Sequence, residues 1–290
     1  MPTPLRTVGQ ILLAGTAAFA ITAVGQGLWG VMVMANVKLT PALPWAALVM
    51  PLVLLALVLF LTGRGWPKMG AAARRALVPS APIPARAWFW SLTAGGVGVL
   101  GLAALWTVMA SLVRVPPNAL PDIHGIPALT LGAILLVSII AAPVTEEIAF
   151  RGYAMSLLRR DFSPIAALAI SSVLFAAAHL TQGLSAPKLL IYLLVGLGLG
   201  LIALRTRSLL PAMVAHAFGD LIFFTQVWPH DAGRRLISQG GADHWFFANI
   251  AILVVSTPLC ILAFRQLIRL TASPPRAHSR TWTAAAPVAA

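Results

Sequence analysis

Long runs of Leu, Ala, Val, Ile and Gly alternate along the chain with short segments that hold most of its Arg and Pro. A helix crossing a bilayer needs about 20 mostly apolar residues. Eight runs qualify, at 8–36, 44–63, 88–113, 128–154, 163–181, 188–204, 209–228 and 245–268. They are continuous rather than alternating with period two, which excludes an outer-membrane barrel. The pattern predicts an all-α, polytopic membrane bundle of about eight transmembrane helices. The fifth and sixth runs are short and rich in Gly and Ala, and the seventh contains His216 and Asp220, so these depart furthest from plain lipid-facing spans.

Composition narrows the class. Of 290 residues, 59% are hydrophobic and 9% charged, and the mean hydropathy is +0.90. A soluble domain carries about 25% charged residues, so this chain cannot cover a water-facing surface. A cytosolic globular enzyme and a disordered protein are thereby excluded, and the single Cys260 excludes a disulfide scaffold. The net charge of +13 would point to nucleic acid in a polar protein. Here it resolves into loop asymmetry, and no nucleic-acid partner is expected. With the N-terminus inside, alternate loops divide Lys and Arg fourteen to five, Arg151 being set aside as a membrane residue. The five are Lys38, Arg114, Lys188, Arg234 and Arg235. Both termini are therefore expected in the cytoplasm, with the basic, Pro/Ala-rich loop 64–87 anchored against anionic membrane lipid. An Ala/Arg-rich, Lys-poor chain suggests a GC-rich bacterial genome, hence a multi-pass protein of a bacterial inner membrane.

Four units follow. Residues 1–127 hold three transmembrane helices and the basic loop, and residues 128–228 a helical core with the polar residues described next. Residues 229–270 hold the last loop and the eighth helix, and 271–290 form a tail whose Pro274, Pro275 and Pro287 among Ala, Ser and Thr predict disorder. Ala18-Phe19-Ala20 could end a signal peptide, but the apolar run continues from Val24 to Met34, which favours a retained helix. Gly196, Gly198 and Gly200 suit close helix packing rather than a dinucleotide turn, since no strand precedes them.

The chain has only seven acids. Asp122, Asp161, Asp231 and Asp243 fall in loops, whereas Glu146, Glu147 and Asp220 fall inside apolar runs, alongside Arg151, His179 and His216. A charge at the bilayer centre costs about 2.5–3.5 kcal/mol even on the lenient insertion scale. Six ionisable groups confined to the fourth, fifth and seventh runs therefore read as a functional site. Glu147 and Arg151 lie one turn apart and can pair, leaving Glu146, about 100° round the helix, for other work. Phe175 and His179 share that spacing, so an aromatic ring can shield the imidazole. In the same way Asp220 can orient a ring nitrogen of His216. A helix ending near Arg160 and turning at Asp161-Phe162-Ser163-Pro164 sets Glu146 and His179 within about 4–5 Å in depth. His216 lies about 12 Å inside the same edge, so the three are expected to meet in a cavity opening toward the cytoplasm. The bland alternatives are a buried ion-pair network of Glu146, Glu147 and Arg151, and a satisfied core histidine at position 179. His124, His230, His244 and His278 lie in loops or the tail and are expected to be solvated.

Glu146-Glu147-x-x-x-Arg151, Phe175-x-x-x-His179 and His216-x-x-x-Asp220, in that order, resemble the motifs of the CAAX prenyl protease and bacteriocin-processing (CPBP, abortive-infection-like) intramembrane endopeptidases. Ser208-Leu209-Leu210-Pro211-Ala212 ahead of His216-Ala217 resembles that family's last motif, and the likeness spans roughly 128–225. The last motif accepts Asn or Asp; this chain has Asp220 where the prenyl proteases typically carry Asn. The resemblance implies a peptidase acting on a peptide or membrane-protein substrate. In it Glu146 and His179 activate a water, His216 and Asp220 stabilise the tetrahedral intermediate, and Glu147, Arg151 and Phe175 support the site. Peptide hydrolysis does need a base for water and a donor for the oxyanion. Metal-free water is the favoured reading; zinc held by Glu146, His179, His216 and Asp220 is its competitor. No His-Glu-x-x-His or Gly-x-Ser-x-Gly is present, and Gly219-Asp220 lacks the second aspartate of a presenilin-like pair. A proton-coupled transporter and a non-catalytic membrane scaffold are the readings from other classes.

Overall fold

The computed structural model describes residues 4–116, 125–229 and 235–272. Asp122, His124, His230, Asp231, Arg234, His278 and the tail from 273 lie outside the described residues.

Among the described residues every regular element is helical, apart from one antiparallel bridge between Ser80 and Ser208. The helices are α1 (Pro4–Leu39), α2 (Trp45–Leu61), α3 (Ala71–Leu77), α4 (Ala85–Leu112), α5 (Ala128–Leu158), α6 (Pro164–Ala178), α7 (Ala186–Thr206), α8 (Leu210–Val227), α9 (Ile237–Gly240) and α10 (His244–Thr271). Each of the eight predicted apolar runs is a helix. Six of them, α1, α4, α5, α7, α8 and α10, are long and apolar enough to cross a membrane, and α2 and α6 are shorter apolar helices. The protein is a polytopic helical bundle and a multi-pass membrane protein.

Local chemistry sets the boundaries. Ser163 Oγ accepts from the Ala166 N–H at 3.2 Å and Pro164 opens α6, while Asp243 Oδ1 accepts from the Phe246 N–H at 2.8 Å to start α10. His179 begins a single 3₁₀ turn after α6, which closes at Gly183 with φ of 99°, a conformation suited to glycine. Ser185 caps α7 by accepting from the Lys188 N–H at 3.3 Å. Lys188 thus belongs to the first helical turn with a buried side chain, and is not the exposed loop cation that its position between two apolar runs suggests.

The predicted cytoplasmic segments gather at one end of the bundle. Arg6 pairs with Asp161 at 2.5 Å, Ser156 Oγ donates to Leu77 O at 3.0 Å, and the Ala81 N–H donates to Arg207 O at 2.9 Å. These contacts join the start of α1, the α5–α6 turn, the segment after α3 and the α7–α8 turn. At the opposite end Thr130 Oγ1 donates to Pro41 O at 2.7 Å. Helix α10 runs antiparallel to α4, since Cys260 lies against Ala94 and Gly98 while Ser256 lies against Gly101, so its C-terminus returns to the basic end. The main core is built on α5, with Phe150 and Leu158 packing among Phe175, Leu168, Leu199 and Ile202.

Candidate active site

Beyond Pro143, α5 opens from α to π geometry over Glu147–Ala154, and all eight of these residues are buried. Wide turns of this kind recur at functional sites. Glu146 stands at the start of this segment, 12 residues before Leu158 and so roughly 18 Å from the basic end. His179 lies 15 residues after Pro164, or roughly 22 Å in, so the two agree in depth to within one helical turn.

Glu147 is the centre of the network. Arg151 Nη1 donates to its Oε1 at 2.8 Å, and His216 Nδ1 approaches that same oxygen at 2.8 Å. All three side chains are buried, Glu147 completely. Because Glu147 accepts, Nδ1 of His216 carries the proton, and Nε2 is turned toward Glu146 Oε2 and Asp220 Oδ1, each 3.7 Å away. The spacing within α8 allows Asp220 to be the orienting carboxylate. In the folded chain it is Glu147 on a different helix that reaches the ring at hydrogen-bond distance, because α5 packs against α8 at this point. Arg151 also reaches Gly196 O at 3.4 Å and lies over the Phe175 ring at 4.3 Å, so the buried cation has a carboxylate, a carbonyl and an aromatic face.

Glu146 is engaged as well. Its Oε1 accepts from Gln26 Nε2 of α1, while Oε2, like Glu147 Oε2, is buried without a hydrogen-bond partner. Two carboxylate oxygens with unspent acceptor capacity therefore sit beside His216.

His179 is held separately. Its Nδ1 donates to Phe175 O at 2.8 Å, and its ring stacks on Tyr192 at 3.9 Å and meets Phe175 at 4.7 Å. That bond fixes the tautomer and leaves Nε2 with a free lone pair. Phe175 also touches His216, ring to ring at 6.0 Å, so it is the surface that the two imidazoles share. Glu146, Glu147, Arg151, His216 and Asp220 thus form one ionic network. His179 joins it through Phe175 and makes no ion pair of its own among the described residues. His244 is exposed at the start of α10, far from the motif helices in sequence.

Among the described residues no group of three or more His, Cys, Asp or Glu is disposed to hold a metal. Nδ1 of His216 is committed to Glu147, and His179 stands apart from Glu146, His216 and Asp220 on Phe175 and Tyr192.

Two residues escape sequence reasoning that counts only ionisable groups. Gln26 is a polar residue within the first apolar run, and Tyr192 is one of only two tyrosines in the chain. Each is a mild break in an apolar run, which is the signal that could have found it.

A carboxylate–histidine network buried among membrane helices is costly in hydrocarbon and marks this region as the candidate functional site. Residues 128–222 match the family model Rce1-like, described as type II CAAX prenyl endopeptidase Rce1-like, so this third of the chain is similar to the family that its motifs resemble. No curated protein and no solved structure matches the chain. The matched segment runs from α5 into α8 and contains all seven candidate residues on those helices, whereas Gln26 lies outside it.

Proposed function

We propose that the protein is an intramembrane endopeptidase of the CAAX-protease type that hydrolyses a peptide bond with water activated by Glu146 and His179, in a cavity reached from the cytoplasmic face. The observation that carries this reading is the pairing of Glu146 Oε2, buried and without a partner, with a His216 ring whose Nε2 is aimed at it from 3.7 Å by Glu147. The reaction requires a water to enter between them, since Glu146 Oε2 is buried in this arrangement.

In the proposed reaction Glu146 takes a proton from water as the oxygen attacks the carbonyl carbon of the peptide. His179, its Nδ1 spent on Phe175 O, offers Nε2 as a second acceptor that orients the same water. The carbonyl π bond breaks to give an oxyanion, to which protonated His216 donates from Nε2. An ionised Asp220 would repel that oxyanion, so its part is to offset the imidazolium charge across 3.7 Å. Collapse of the intermediate breaks the C–N bond, and the proton held by Glu146 passes to the leaving amine. Arg151 neutralises Glu147 and thereby allows Glu147 to hold His216 without adding an uncompensated charge. Access from the cytoplasm is supported by the site's position nearer the basic end, where Arg6, Arg207 and the α5–α6 turn gather.

The test is a comparison of peptides and membrane proteins from cells carrying the wild type and Glu146→Ala. Uncleaved precursors should accumulate in the variant while folded protein persists. Cleavage of a model membrane peptide by purified Glu146→Ala at the wild-type rate would refute the mechanism.

A further inference from the structure

We infer that α1, which lies outside the matched segment, completes the catalytic centre, with Gln26 as the residue that positions Glu146. The inference rests on the proposed peptidase reading. An ionised carboxylate only accepts hydrogen bonds, so the Gln26 amide presents its NH₂ to Glu146 Oε1. A glutamate held by neither oxygen rotates freely about its terminal torsion. Pinning Oε1 on one side leaves Oε2 as the oxygen directed at His216 Nε2, which is the arrangement observed.

The helix contact is built to deliver this bond. A Cβ placed on Gly25 would come 2.5 Å from Thr145 Cγ2 and 3.0 Å from Thr145 Oγ1, so α1 and α5 approach too closely there for any side chain. That approach sets the following residue, Gln26, against Glu146. The register is locked on both sides. Trp29 Nε1 donates to Ser138 Oγ at 3.0 Å one turn further on, Phe19 meets Phe150 edge-on at 6.2 Å, and Gln10 Nε2 donates to Leu157 O at 2.6 Å. A primary amide is costly in hydrocarbon unless bonded, and this one is spent on the proposed base.

The experiment uses the full chain in lipid and measures kcat, KM and the thermal unfolding midpoint for Gln26→Met, Gln26→Glu and Trp29→Phe. Methionine keeps the length and volume of glutamine without a donor. Glutamate keeps the shape and sets a second carboxylate against Glu146. Trp29→Phe removes a neighbouring α1–α5 hydrogen bond without touching the site. Expected is a fall in kcat of about 10- to 100-fold for Gln26→Met, the range seen when a residue orienting a catalytic ligand is lost. Its KM should stay within about twofold and its unfolding midpoint should match the wild type, with Gln26→Glu falling at least as far and Trp29→Phe keeping the wild-type kcat. Wild-type kcat in Gln26→Met overturns the inference, as does an equal fall in kcat and midpoint for Trp29→Phe, which would reduce α1 to packing. If Glu146→Ala is inactive while Gln26→Met is fully active, only this inference fails. If Glu146→Ala is itself active, the peptidase mechanism fails first.

Discussion

Where α10 lies against α4, the contact is made of small side chains: Gly98 faces Cys260, Gly101 faces Ser256, and Cys260 Sγ reaches Ala94 O at 3.6 Å. Where α1 and α8 meet α5, the contact is made of Gln26, Glu146, Glu147, Arg151 and His216. The first seam is what a membrane bundle needs, because helices in lipid associate through close van der Waals packing of small residues and a few hydrogen bonds. The second holds far more charge than association requires. A buried ion pair gains little net stability over apolar packing, yet breaking one is expensive. A network of this kind at one seam and not the other is what the proposed hydrolysis would require there.

Five substitutions sharpen the contrast. Arg151→Met should have the largest effect on stability. It strands Glu147 as an uncompensated buried charge, at a cost of about 3–5 kcal/mol, read as a fall in the thermal unfolding midpoint of purified protein. On the α4–α10 seam, Gly101→Ala would set a Cβ 2.7 Å from Ser256 Oγ and should cost about 1–3 kcal/mol by overpacking, with turnover per folded molecule unchanged. Gly96→Ala on the same helix meets nothing within 4 Å and serves as its neutral partner. Loss of the α6 cap in Ser163→Ala should cost about 1 kcal/mol and shift the Phe175–His179 end of that helix only indirectly. Arg6→Ala removes an ion pair whose arginine is 66% exposed, and should change stability by less than about 1 kcal/mol, and still less in high salt. If Gly101→Ala were to abolish turnover without unfolding the protein, the division between the two seams would be wrong.

The membrane architecture was legible because length and hydropathy are additive along the chain: each apolar run predicts its own helix without knowledge of its neighbours. The same holds for Glu147–Arg151 and for the Ser163-Pro164 turn, since partners four residues apart meet wherever a helix forms. What spacing could not supply was contact between helices. His216 finds its orienting carboxylate 69 residues away in Glu147 rather than in Asp220, and Glu146 finds Gln26 at a separation of 120. Lys188 reads as a loop cation because a window average cannot distinguish a buried first-turn lysine from an exposed one. The π turn over Glu147–Ala154 leaves the spacing of Glu147 and Arg151 usable, and so leaves no trace in the motif that would reveal it.

The central claim is that Glu146 is the base for hydrolysis in the bilayer. It is tested most directly by the rate at which purified protein, reconstituted in lipid, cleaves a transmembrane peptide in a single turnover, compared between the wild type and Glu146→Gln. Glutamine keeps the side chain's shape but cannot take a proton, so the rate should fall by at least about 10²- to 10⁴-fold with an unchanged unfolding midpoint. A Glu146→Gln protein that cleaves the peptide at the wild-type rate would contradict the account.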